Sequence, residues 1–199
     1  LTFDDGPSGD YTEPLIETLA GFGSYYGPIR ATFFVQGVQV NQFQAGDDHP
    51  TTRAHREGHL VANHSYSHPQ FGRLSEEEMR KEIKDTNSLL EKHKVPSPKY
   101  FRAPYGDTDG SNLTKVLEGL KMKHVGWDVD PRDWEGGSAY QIIDKVLKRV
   151  FEREEEQRRT HIVLLHDGPG GRKRIVQVVQ CIVPALSAWG YKFFSIDQL

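Results

Sequence analysis

One cysteine, Cys181, stands in a chain of 199 residues. A lone thiol closes no disulfide within the chain and excludes a thiolate metal cluster. No apolar run approaches the roughly 20 residues needed to span a bilayer. Excess basic charge is missing too. Against 28 Asp and Glu there are 25 Lys and Arg, a net charge of -3, without the clustered positive charge of a nucleic-acid footprint. No low-complexity tract, sequence-level repeat or linker divides the chain, and its length suits one domain with a substantial core. The sequence has neither an initiator Met nor a signal peptide and opens inside a strand, which reads as a trimmed or processed domain.

What is present starts at residues 1–7. Leu1, Thr2 and Phe3 read as the end of a buried strand, and Gly6-Pro7 breaks it. Asp4 and Asp5 are thereby delivered together at a strand tip. Successive strand residues point to opposite faces, so the pair can act at one place only if the backbone turns there. Adjacent carboxylates also repel unless a cation neutralises one of them. Nitrogen ligands for such a cation stand at His64 and His68.

Strand-like and helix-like segments then alternate. Helices are predicted over residues 11–22, 75–92, 113–120, 140–155 and 175–189. The second opens on a capping box, with Ser75 at its start and Glu78 reaching back. Strands are predicted over 31–35, 60–63, 100–102, 124–128, 162–165 and 191–196, whereas 38–57 is irregular or weakly helical. Seven strands alternating with helices imply a parallel sheet with helices outside it, either open and doubly wound or closed into a barrel. Asp4 and Asp5, His64, Arg102, Asp130 to Trp134 and His166 all follow the C-terminal ends of successive strands. A barrel gathers those ends into one rim, where an open sheet would spread them along a crevice. The expected fold is therefore an α/β barrel.

The spacing of His64 and His68 suits one face of a helical turn. In the commonest metal motif of that spacing a Glu follows the first His, and here Ser65 stands in its place, so that reading fails. With Asp5 the two imidazoles make a set of two nitrogens and one carboxylate with an open position. Such a set suits Zn²⁺, and also Fe²⁺ or Co²⁺.

These residues belong to five short motifs: Thr2-Phe3-Asp4-Asp5-Gly6, His64-Ser65-Tyr66-Ser67-His68, Arg102-Ala103-Pro104-Tyr105, Asp130-Pro131-Arg132-Asp133-Trp134 and Leu164-Leu165-His166. In this order the chain resembles the polysaccharide deacetylases of carbohydrate esterase family 4, the NodB homology domain. The resemblance implies a distorted (β/α)7-8 barrel and a single catalytic domain over residues 1–199. It implies Asp5, His64 and His68 as ligands of Zn²⁺, with Co²⁺ or another divalent metal as substitute. Asp4 matches the catalytic base, Arg102 the residue that holds it, and His166 the general acid oriented by Asp133. Tyr105 would offer its backbone N–H to the oxyanion, and Trp134 and Leu164 would wall a pocket for the acetyl methyl.

The implied activity is removal of N-acetyl groups from an N-acetylglucosamine polymer such as chitin, chitooligosaccharide or peptidoglycan. An O-acetyl esterase acting on xylan would use the same site. A carbohydrate-binding domain without catalysis would be expected to lose Asp4, Asp5 or His166, and all three are present. Cyclic amide hydrolysis by a barrel relative would be expected to vary the first and last motifs. The implied partner is an acetylated glycan, with no nucleic acid and no membrane-spanning segment. A monomer at the cell envelope or outside the cell is expected. The loop over 36–57 is expected to wall the groove. His49, His55, His59, His93, His124 and His161 fit no motif and read as structural or exposed, and residues 152–159 read as a solvated helix end. Residues 168–171 lack the ending of a phosphate loop and read as a turn beside the site.

Overall fold

The computed structural model describes residues 1–108, 111–155, 160–170 and 173–199. Its elements run β1 (Thr2–Asp4), α1 (Thr12–Tyr26), β2 (Thr32–Val35), α2 (Gly37–Val40), α3 (Pro50–Arg56), β3 (Leu60–Asn63) and α4 (Glu76–Lys92). They continue with β4 (Tyr100–Phe101), α5 (Ser111–Gly119), β5 (Lys123–His124), α6 (Ala139–Glu155), β6 (Leu164–His166) and α7 (Ile175–Ala188). The strands form one sheet in the order β5-β4-β3-β2-β1-β6, and every pairing is parallel. The sheet curls into a half-barrel. Val125 donates its N–H to the Phe101 carbonyl beside β4, and four residues later Val129 bridges to Val163 at the foot of β6. That segment crosses the open side.

Strand register sorts the side chains onto two faces. Phe3, Phe33, Val61 and Leu165 point outward to the helices, with the rings of Phe3 and Phe33 stacked at 5.2 Å. They join Leu15, Ile16 and Leu19 of α1, Ile142, Val146 and Val150 of α6, and Val178, Val179, Ile182 and Val183 of α7 in the main core. Each such side chain contributes about 1.5–3 kcal/mol on burial. A second cluster joins Phe71, Met79 and Ile83 to Phe101 and to Val116 and Leu117 of α5. The opposite face carries Thr2, Asp4, Phe34, Ala62, Leu164 and His166 at matched register, so polar groups share the barrel interior with a few apolar ones.

The capping box of α4 forms as expected: the Glu78 N–H donates to the Ser75 hydroxyl and the Glu78 carboxylate accepts from the Ser75 N–H. The seventh strand does not form. Residues 191–195 join no strand ladder: the Phe193 carbonyl accepts from the Arg30 N–H at 3.1 Å ahead of β2, and the Ile196 N–H donates to the Thr32 hydroxyl at 3.0 Å, where Ser195 caps a 3-10 turn over Ile196–Gln198. The strand expected over 124–128 is reduced to Lys123–His124, because the chain leaves the sheet there to cross toward β6. The expected helix end over 152–159 and the turn over 168–171 lie partly outside the described residues. Among the described residues, no helix is long and apolar enough to cross a membrane.

Candidate metal centre and active site

The C-terminal ends of β1, β3 and β6, together with the loop after β4, bring the candidate residues to one rim. β1 ends at Asp4, and Asp5 takes a left-handed backbone (φ 74°). That is the turn which lets two successive carboxylates face one place. Asp5 Oδ1 lies 3.5 Å from His64 Nε2 and 3.2 Å from His68 Nε2. Among the described residues this trio alone can close three such donor atoms around one ion, all within 4.8 Å of one another.

The two histidines are not on a helix. Ser65 and His68 both have positive φ, 67° and 61°, so the segment is a tight loop whose bends bring the imidazoles to a 5.0 Å centroid separation. Side chains from β3 and α4 satisfy that loop. Asn63 accepts from the Ser65 N–H and donates to the Ile83 carbonyl of α4. Glu82, also on α4, accepts from the backbone N–H groups of Tyr66 and Ser67 and from the Ser67 hydroxyl.

The donor chemistry fits a divalent cation. His64 Nδ1 lies 2.9 Å from the Arg102 carbonyl, which can only accept, so Nδ1 carries the proton and Nε2 keeps its lone pair toward Asp5. A tetrahedral ion with ligand bonds of about 2.0–2.1 Å sets its ligand atoms about 3.3–3.4 Å apart, close to the separations above.

Asp4 lies on one side of this trio, paired with Arg102. The guanidinium is fully buried and donates to Asp4 Oδ1 at 2.7 Å, to the Thr2 hydroxyl at 2.8 Å and to the carbonyls of Val125 and Gly126. It also lies over the Phe34 ring, 4.1 Å from the centroid. Asp4 Oδ2 is left toward the metal-facing side, 3.7 Å from His64 Nε2.

His166 lies on the other side. Asp133, which opens a 3-10 turn after a left-handed Arg132, accepts the His166 N–H at 3.0 Å and faces its Nδ1 at 2.7 Å. An ionised carboxylate only accepts, so Nδ1 is protonated and Nε2 faces away from Asp133. Burial lowers the imidazole's proton affinity. The hydrogen bond and charge of Asp133, then the charges of Asp4 and Asp5, more than offset it, and the pKa lies above its ordinary value.

Tyr105 has a left-handed backbone (φ 60°) in the turn after Arg102, and its ring packs edge-on against His68 at 4.5 Å. Leu164 is buried two residues before His166 on the same strand face. Trp134, the residue after Asp133, is half exposed. All ten residues expected from the sequence thus lie on the elements that form this rim or the barrel wall beneath it.

Three further participants were not expected. Gln36, the first residue after β2, donates through Nε2 to Asp5 Oδ1 at 2.7 Å. Its place at a strand end is the signal that marked the other rim residues. Asn63 is the last residue of β3, and its side chain pins the histidine loop. Asp167 is buried beside the first turn, bonded by the Thr12 hydroxyl at 2.5 Å. Burial, and then the charges of Asp5 and Asp4, push its carboxyl up to about 7 against that bond.

Known proteins resemble this chain along its length. A sequence profile of the polysaccharide deacetylase family matches residues 1–125. A peptidoglycan-N-acetylglucosamine deacetylase of Bacillus cereus is 32% identical over 200 residues, covering 100% of this chain and 66% of the relative, so the chain spans just under two thirds of that protein. A chitooligosaccharide deacetylase of Rhizobium leguminosarum bv. trifolii is 33% identical over 212 residues, covering 100% of this chain and 89% of the relative. Among solved structures, a family 4 acetyl xylan esterase from Clostridium thermocellum, in complex with a cobalt ion, superimposes with a TM-score of 0.84 at 28% identity, covering 99% of this chain and 87% of that one.

Proposed function

The chain belongs to the polysaccharide deacetylase family, carbohydrate esterase family 4, and from that footing we propose that it removes N-acetyl groups from an N-acetylglucosamine-containing glycan by metal-assisted hydrolysis. The observation that carries this reading is the flanking of one candidate metal trio by a carboxylate held by Arg102 and an imidazole held by Asp133. Asp5, His64 and His68 would hold Zn²⁺, with Co²⁺ as an alternative. The cation would supply Lewis acidity, polarising the acetyl carbonyl and making a nearby water more acidic.

The protein's own groups move the protons. Asp4 Oδ2 takes the proton of the attacking water, while Arg102 fixes Oδ1. His166 Nε2 gives its proton to the departing amine, and Asp133 raises that imidazole's proton affinity and aligns it. The backbone N–H of Tyr105 serves the developing oxyanion. Leu164 and Trp134 wall the space for the acetyl methyl.

An amine is a far poorer leaving group than an alcohol and needs protonation as the C–N bond breaks. His166, aligned by Asp133, is placed to supply that proton. Residues 1–199 would act as one catalytic domain, monomeric, at the cell envelope or outside the cell. The test is acetate release from chitooligosaccharide, peptidoglycan fragments and acetylated xylan by the same preparation. Release from the N-acetylglucosamine substrates in preference to xylan is expected. Preference for xylan would replace this reading by the esterase.

A further inference from the structure

We propose that Gln36 is a positioning residue of the metal centre, whose side-chain amide holds the Asp5 carboxylate in its ligating orientation. The inference rests on the metal reading above and adds a residue outside the five motifs.

Gln36 sits where the two ligand-bearing loops meet. Its backbone N–H donates to the Gly6 carbonyl at 2.9 Å, directly after the Asp4-Asp5 pair. The next two N–H groups, of Gly37 and Val38, donate to the carbonyls of Ser65 and Tyr66 in the histidine loop at 3.0 and 2.9 Å. Val35, the residue before it, accepts from the His64 N–H at 2.9 Å. The end of β2 is thus stitched to both loops, and Gln36 is buried between them with 8% of its surface exposed.

Its side chain is committed to one oxygen. Gln36 occupies the N-cap position of α2, yet makes no side-chain cap bond there. Instead Nε2 donates to Asp5 Oδ1 at 2.7 Å, the same oxygen that faces both imidazoles. A carboxylate oxygen has two lone pairs, so it can take an N–H from one direction and still offer a lone pair to a cation from the other. Asp5 needs such a clamp because its carboxylate can otherwise turn about two side-chain torsions.

The choice of an amide follows from charge. A Lys or Arg here would neutralise Asp5 and repel a divalent cation, and an apolar side chain would leave the carboxylate unheld. A neutral donor orients the ligand without spending its charge. Outer partners of this kind typically change metal affinity about 10–100-fold when removed.

The test measures Zn²⁺ affinity of the metal-stripped full chain by competition with a chromophoric chelator, alongside the melting temperature of the stripped protein. Gln36→Met, which keeps the length and loses the donor, is expected to weaken Zn²⁺ binding about tenfold. Gln36→Lys is expected to weaken it further, and it carries the test if the first variant does not fold. A dissociation constant within twofold of wild type in both variants, whatever the melting temperature does, would overturn the proposal and make Gln36 merely structural. If the wild type itself binds no Zn²⁺, the metal reading fails, and this proposal with it.

Discussion

Arg102 reaches Asp4 from inside the barrel. Its Nη1 lies 2.7 Å from Asp4 Oδ1, and the guanidinium's other bonds, to the Thr2 hydroxyl and to the carbonyls of Val125 and Gly126, are made to the barrel wall. A fully desolvated charge pair gives little net stability, but removing one partner strands the other and costs about 3–5 kcal/mol. The pair sits at the floor of the rim because Thr2 and Asp4 share the inward face of β1 and Arg102 follows directly from β4.

Replacing Arg102 should therefore damage both stability and turnover. Arg102→Met is expected to lower unfolding free energy by about 3 kcal/mol and kcat/KM by roughly 100-fold or more, as Asp4 loses its orientation. Denaturant melts and steady-state kinetics measure the two effects. Asp4→Asn combined with Arg102→Met should recover part of the stability and none of the activity.

Asp133→Asn removes the charge beside His166 together with one of its two acceptors. The amide oxygen can still accept from Nδ1, but the amide NH2 then faces the His166 N–H, and the negative charge that raises the imidazole's proton affinity is gone. The acid form does the work, so activity is present below the His166 pKa and lost as pH rises through it. The basic limb of the kcat/KM profile should move to lower pH in the variant. An unmoved limb would remove His166 from the role of acid.

Gly168 has no room for a side chain. A Cβ there would stand 2.4 Å from Asp5 Cβ and 2.6 Å from the Asp5 carbonyl oxygen, and backbone cannot swing aside as a side chain can. Gly168→Ala should displace Asp5 from the trio. Isothermal titration with Zn²⁺ should show weaker binding, and kcat/KM should fall roughly tenfold or more. Unchanged Zn²⁺ binding would mean that the loop relaxes elsewhere.

Acid sensitivity should come from two histidines away from the rim. Burial pulls His49 down to about 4, although its bond to the Val40 carbonyl works the other way, and burial with the Arg30 charge pulls His59 to about 4. Each is an acceptor in the fold, His49 Nδ1 from the Thr51 N–H and His59 Nδ1 from the Ala31 N–H. Folded pKa values below the unfolded value near 6.5 mean that the unfolded chain takes up protons first. Their stabilising contribution is full above about 6.5 and is lost as pH falls toward about 4. Thermal melts between pH 7.5 and 4 should fall less steeply in His49→Asn than in wild type, from a lower starting value.

Much of the fold and site was legible in the sequence because polar motifs at strand ends report a shared rim. The capping box of α4 and the strand at Leu60–Asn63 were local signals with no competitor. The histidine spacing misled, since i,i+4 suits a helix but also a loop with two left-handed residues. The partners that stabilise the loop, Asn63 and Glu82, are identified only by tertiary contact. Residues 191–196 alternate like a strand, with Phe193 buried and Phe194 exposed, yet pattern does not guarantee a ladder. Gln36 carries no motif, and its role emerges only when β2 is seen between the two ligand loops.

The most direct measurement is acetate release from chitooligosaccharide by stripped protein, by protein reloaded with Zn²⁺ or Co²⁺, and by Asp4→Asn reloaded in the same way. Release is expected to vanish on stripping, to return with the metal in wild type, and to stay absent in Asp4→Asn although that variant still binds metal. Release that persists in the stripped wild type, or in metal-loaded Asp4→Asn, would contradict metal-assisted hydrolysis with Asp4 as its base.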